Sequence, residues 1–354
     1  MTKRKHELSL MNVILCLLVI FIHASSTAIT VADKTSWEYA LLLPAWRLAA
    51  CAVPGFFFLS ALKFALGAEK EGFSYKKYVL GRIKRVWLPY AMAVLVYFVY
   101  FVLLNYMEPS VPELVKLLFD GNMCGHFYFV IAIMQFYFLA PLWRAILKKL
   151  SEPAYAVIAL VAALPLGMIF GQYLTDFISI FFKGWLFPYA DRVFSTYIFW
   201  WMAGLVVGRH YGYLKNAVVG AWRGITALFL FAAVMSGGLS LLHFSGREYI
   251  YWLETVHVFY IVCAVLFLFT ICVKSADAPI MSAKLICAVD RSSYSIYLWH
   301  PLFLYFAKAL LGGKNVPLSV TFGTHLFFSL VVTVAVCVCV SAVVGKISKI
   351  VRKQ

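Results

Sequence analysis

With 354 residues, 64% of them apolar and 13% charged, and a mean hydropathy of +0.88, the chain carries more apolar surface than a soluble domain of this length needs. It must be solvated by lipid. The net charge of +16 would suit a polyanion, but its placement excludes nucleic acid: with both termini cytosolic, 22 of the 31 Lys and Arg residues fall in cytosolic segments and six in outer ones, the positive-inside asymmetry of an even number of spans.

The residues predict an all-α polytopic membrane protein of about ten transmembrane helices, a single integral-membrane domain over residues 1–354 with both termini cytosolic. Uncharged stretches run 8–32, 86–107, 121–143, 153–175, 224–246, 255–273 and 315–345, and each can supply the ~20 helical residues that a hydrocarbon core requires. Shorter runs at 48–62, 193–208 and 292–307 become full spans when a flanking charge snorkels. The opening "TKRK", an apolar run and "ASSTA" have the outline of a signal peptide. Its removal would leave nine spans and break the alternation, so the first helix is expected to be retained. Eight cysteines, mostly within spans and without paired loop spacing, read as packing residues and suggest neither disulfides nor a metal site. No internal repeat is evident, which counts against a transporter built on duplicated halves.

The first span, "VILCLLVIFIHASS", carries His23 in the outer part of the membrane. An interfacial histidine that caps or snorkels is one reading; an intramembrane base facing a cavity is the other. Asn12 precedes it by eleven residues, and eleven steps of about 100° return it to within roughly 20° of the same face. That spacing predicts a polar stripe, though an Asn near a helix start also serves as a cap. In "GRIKRVWLPY", Arg82 and Arg85 stand three apart at the mouth of the third span. On an α-helix they would project to one side and could hold phosphate groups; the alternative is the ordinary basic decoration of a cytosolic helix end.

Further along, Trp185, Phe187 and Tyr189 of the outer loop could offer aromatic faces to sugar rings or form an interfacial belt. Glu254 and His257, one turn apart at an outer helix end, are a second acid–base candidate, for which a solvated helix end also accounts. In "SYSIYLWHP", His300 lies near mid-membrane behind Ser293, Tyr294, Ser295 and Tyr297. Pro301 loosens the backbone there, and a structural Tyr–His hydrogen bond between helices is the alternative to a functional one.

The ordered set of an intramembrane His in helix 1, "VPGFFFLSALKF", "RIKRVWLPY", "GHFYFVIAIMQFYFLAPLW" and "SYSIYLWHP" resembles the acyltransferase 3 family of ten-helix membrane O-acyltransferases over nearly the whole chain. The resemblance implies that His23 is the family's essential histidine and that Arg82 and Arg85 are its Arg-x-x-Arg motif, associated with the acyl-CoA donor. The family carries Arg eleven residues before its histidine, where this chain has Asn12; Asn donates a hydrogen bond but brings no charge. Arg47 and "LSALKF" are smaller departures.

The expected activity is transfer of an acetyl or succinyl group from acyl-CoA to a hydroxyl of a cell-surface glycan, in a bacterial plasma membrane. His23 acts as general base or transient acyl carrier, Arg82, Arg85 and Asn12 bind the donor, and Tyr297 or His300 stabilises the oxyanion. The expected partners are acyl-CoA, the glycan, the lipid bilayer and polysaccharide synthase components, with no nucleic acid, no metal and no permanently bound cofactor. The rival reading from another class is a polysaccharide exporter or flippase without acyl chemistry; a catalytically inert sensor or assembly factor is a third.

Overall fold

The structure, a computed structural model, describes residues 5–68, 72–172, 180, 189–276, 283–311 and 317–351. Every regular element among them is helical. In chain order these are α1 (His6–Val31), α2 (Trp37–Ala49), α3 (Ala52–Ala68), α4 (Tyr75–Arg82), a π-helical turn (Ile83–Trp87), α5 (Leu88–Leu103), α6 (Val111–Asp120), α7 (Tyr128–Phe138), α8 (Ala140–Lys149), α9 (Pro153–Gln172), two short 3₁₀ turns (Ala190–Arg192 and Phe194–Tyr197), α10 (Ile198–Arg209), α11 (Tyr211–Gly220), α12 (Trp222–Phe244), α13 (Leu253–Lys274), α14 (Ala283–Leu311), α15 (Leu318–Leu326), a second π turn (Phe327–Val332) and α16 (Thr333–Val351).

Among the described residues six helices are long and apolar enough to cross a membrane: His6–Val31, Trp37–Ala68, Tyr75–Leu103, Trp222–Phe244, Leu253–Lys274 and Leu318–Val344. A seventh forms if α7 and α8, bent by 62°, are counted as one. The expected count of about ten is therefore not reached by length and apolarity. The shortfall has physical causes. The run 193–208 is α-helical only from Ile198, in the 12-residue α10, and the apolar part of α9 is short. At 29 residues α14 is long enough, but the recurrence of Asp290, Ser293, Tyr297 and His300 at steps of three, four and three puts polar groups down one of its faces.

The chain divides into two compact units. Unit 1 is Met1–Gly55 with Lys215–Gln354, and unit 2 is Phe56–Leu214. In unit 1, α1 packs along α14, α12 along α13 and α2, and α16 along α14. The C-terminal end of α2 is tied down by polar contacts: Arg47 pairs with Glu254 at 2.8 Å, and the Tyr260 hydroxyl donates to the Leu48 carbonyl at 2.7 Å.

In unit 2, α10 and α3 approach each other closely. A Cβ built on Gly204 would lie 2.2 Å from the Phe58 carbonyl oxygen and 2.7 Å from Ala61 Cβ, and one on Gly208 would lie 2.5 Å from Ala65 Cβ. Small residues spaced four apart on both helices, Gly204 with Gly208 and Ala61 with Ala65, let two backbones meet where lipid supplies no hydrophobic driving force. Around that contact, Trp201 stacks on Phe136 at 4.3 Å and Phe57 on Tyr197 at 4.2 Å. Gly204→Ala should therefore destabilise the protein by about 1–3 kcal/mol, the usual cost of overpacking. Gly224→Ala, with nothing within 4 Å, should leave the unfolding temperature in detergent unchanged or higher. Equal temperatures for Gly204→Ala and the parent would remove this packing account.

Candidate functional site

The candidate residues of unit 1 converge on the contact between α1 and α14. Asn12 Nδ2 donates to Asp290 Oδ1 at 2.7 Å and to Ser293 Oγ at 2.8 Å; the Cys16 thiol reaches the Ser293 carbonyl at 3.7 Å. Eleven residues above Asn12, the ring of His23 lies 5.1 Å from that of His300, centroid to centroid, at an interplanar angle of 48°. Partners rise together along both chains, so α1 and α14 run parallel in constant register. The predicted stripe of Asn12 and His23 is one face of this seam, and Asp290, Ser293 and His300 form the other.

Pro301 decides the tautomer of His300. In an α-helix the N–H of residue 301 would bond to the carbonyl of Tyr297, and proline has none. His300 Nδ1 lies 2.9 Å from that same Tyr297 oxygen and 3.2 Å from the Ile296 oxygen. A carbonyl only accepts, so Nδ1 carries the hydrogen and replaces the missing donor. Neutral His300, whose ring is fully buried, thus presents the lone pair of Nε2 and no second N–H. In this form His300 offers no proton to an oxyanion. Tyr297 keeps that possibility; its ring stacks on Tyr294 at 5.9 Å and stands 6.5 Å from His300.

Asn12 is committed to the same seam. Both of its amide hydrogens are engaged by Asp290 and Ser293, which leaves only an acceptor oxygen, and phosphates are acceptors too. Its amide belongs to the seam. Asp290, absent from the sequence expectations, was legible as the first member of its i, i+3, i+7, i+10 series with Ser293, Tyr297 and His300.

Arg82 and Arg85 lie in unit 2, Arg82 at the end of α4 and Arg85 within the first π turn. The extra residue per turn removes the one-sided projection expected on an α-helix. Half-buried Arg82 sits 4.6 Å from the Tyr137 ring and 5.0 Å from the Tyr78 ring, a cation held on two aromatic faces. Arg85 is exposed.

Glu254 and His257 do not act on each other. Glu254 pairs with Arg47, while buried His257 shares a 2.9 Å hydrogen bond with Ser236 Oγ. Trp185 and Phe187 lie outside the described residues; Tyr189 has Arg192 over its ring at 5.0 Å. No group of three or more His, Cys, Asp or Glu side chains suited to a metal occurs among the described residues.

The seam can be measured directly. A double-mutant cycle between Asn12→Ala and Ser293→Ala, followed by unfolding in detergent, should give a coupling of about 0.6 to 1.7 kcal/mol, the range seen for hydrogen bonds between membrane helices. Additive effects would mean that the two side chains do not bond.

Residues 5–343 match a family model described as an acyltransferase domain. Neither a curated protein nor a solved structure matches the chain.

Proposed function

The chain belongs to the acyltransferase domain family, matching its model over residues 5–343, and on that premise we propose that it moves an acetyl or succinyl group from acyl-CoA to a hydroxyl of a cell-surface polysaccharide. Acyl transfer and a membrane setting follow from the family and the apolar helices; donor, acceptor and residue roles are the proposal. The order of motifs is similar to that of the membrane protein of poly-N-acetylglucosamine (intercellular adhesin) synthesis, so a polymer of that kind is the acceptor favoured. Ten crossings with both termini cytosolic, in a bacterial plasma membrane beside polysaccharide synthase components, complete the reading.

The observation that carries it is the His23–His300 pair at 5.1 Å. An N–H···N bond of about 2.9 Å between two imidazoles sets their centres roughly that far apart. Because the hydrogen of His300 is used on the Tyr297 carbonyl, His23 is the donor in such a pair, and its other nitrogen is the base. His300 then orients His23, as the third member of a nucleophile–base set does.

The steps balance as follows. His23 takes the proton of the acceptor hydroxyl while the oxygen attacks the thioester carbonyl. The Tyr297 hydroxyl steadies the oxyanion. Collapse breaks the carbon–sulfur bond, and the leaving CoA thiolate takes the proton from His23. Transient acylation of His23 would also balance, but it adds a step. Arg85, exposed, and Arg82, held on two tyrosines, are assigned to the phosphates of CoA.

Cells carrying the intact protein, no protein, or His23→Ala at matched membrane levels test the reading. His23→Ala should export glycan without esters. Equal ester content in all three, with export falling only when the protein is missing, would establish a conduit instead. Arg85→Ala should weaken acyl-CoA binding about tenfold or more, as loss of a charge-assisted bond does, with the protein still folded; unchanged affinity would remove Arg85 from the donor site.

A further inference from the structure

Between α1, α2, α12 and α13, unit 1 keeps a partly open cavity of about 370 Å³. Its walls include Leu18 and Phe21 of α1, Leu48 of α2, Phe229 of α12, and Ala264 and Phe267 of α13. Apart from Cys51 and Tyr260 every lining side chain is hydrocarbon, and the Tyr260 hydroxyl is spent on the Leu48 carbonyl. A water held there would lack the two to four polar partners it needs. The space suits hydrocarbon instead: an apolar cavity of about 150 Å³ takes benzene, so this one has room for a chain of roughly a dozen carbons. All four wall helices belong to spans long and apolar enough to cross a membrane. Leu228, Leu230 and Leu266, next to Phe229 and Phe267, are exposed, where lipid chains are the solvent.

The cavity lies apart from the proposed chemistry. Leu18 and Phe21 stand about 140–160° round α1 from His23, on the side turned away from the α14 seam.

A second feature of the same two helices says what kind of molecule brings the chain. Trp222, the first residue of α12, lies seven residues from Phe229, and Lys274, the last of α13, lies seven from Phe267. At 1.5 Å per residue both are about 10 Å along the helices from that aromatic pair, whose rings stack at 4.1 Å. Lys274 Nζ sits 3.2 Å from the centre of the Trp222 ring, and the Arg223 guanidinium carbon 5.6 Å from it. Both cations are exposed, and neither has an ion pair among the described residues. Two like charges gathered on one indole attract an anion, and Arg and Lys both donate to phosphate oxygens. Headgroup and interface occupy roughly 5–8 Å on each side of the hydrocarbon. A phosphate held at this level therefore sets its ester-linked chains at the depth of the cavity.

We propose that unit 1 binds an anionic phospholipid, with its phosphate on Arg223 and Lys274 and one hydrocarbon chain in the cavity between α1, α2, α12 and α13. The chain braces α1 from behind while α14 holds it in front. The site goes beyond acyl transfer and stands whether or not the transferase reading does.

The test uses the full chain, delipidated in a neutral detergent and titrated with phosphatidylglycerol; the rise in unfolding temperature gives the apparent affinity. Arg223→Gln and Lys274→Gln should each weaken it about fivefold, and the double variant about twentyfold or more, as the loss of one and two interfacial cations implies. Ala264→Leu, and separately Ala45→Leu on the α2 wall, put three carbons where the chain would lie and should weaken it at least tenfold. Leu230→Phe, on an exposed side chain, should keep the parental affinity. Phosphatidylcholine that stabilises the parent as strongly as phosphatidylglycerol, or a double glutamine variant with parental affinity, overturns the headgroup assignment. Leucine variants that keep parental affinity and unfold at a higher temperature without lipid show a packing void and overturn the chain assignment. Either result removes the site.

Discussion

Lipid offers no hydrogen bonds, so each polar group that α1 and α14 carry into the membrane has to be met by the other helix or by its own backbone. That constraint explains the register of unit 1. Asn12 is met by Asp290 and Ser293, Cys16 by the Ser293 carbonyl, and His23 faces His300. A slip of one residue would turn each partner by about 100° and strand an amide, a carboxylate, a hydroxyl and two imidazoles in hydrocarbon. The histidines of the proposed chemistry thus belong to the same seam that locks the two helices in place.

Proline and histidine act together at residues 300 and 301. Proline alone would leave the Tyr297 carbonyl without its helical donor, a cost that membrane helices usually relieve with a kink or a side chain. Here His300 supplies the donor from its own ring, and the same bond decides which nitrogen holds the proton. Backbone repair and tautomer selection are one event. Unit 2 solves a different problem by different means: small residues bring α3 and α10 into backbone contact, stacked aromatics fill the space around them, and Arg82 rests on tyrosine rings. Its charge is dispersed over aromatic faces without a carboxylate being buried beside it.

Much of this could be read from residue spacing. The stripe of Asn12 and His23 follows from a 3.6-residue period, and the apolar runs from composition. Local patterns mislead where a side chain's partner comes from a distant part of the chain. Arg82 and Arg85 look alike as i and i+3 on an α-helix, but Arg85 lies within a π turn and, among the described residues, Arg82 alone of the two rests on aromatic rings. Glu254 and His257 look like a pair, yet Arg47 from α2 takes the carboxylate and Ser236 from α12 takes the imidazole. The long helix α14 escapes an apolarity test because it carries the other half of the seam.

By itself the sequence determined that this is an all-helical chain dissolved in lipid, where its first helix turns polar, and which family's ordered motifs it carries, because apolarity, helical period and motif order are properties of neighbours along the chain. Only the tertiary structure decided that the first polar face meets Asp290, Ser293 and His300, that His300 holds its proton on Nδ1, and that Asn12 has no hydrogen left for a ligand. Those outcomes depend on groups some 280 residues apart arriving within 3 Å of each other, which no local pattern encodes.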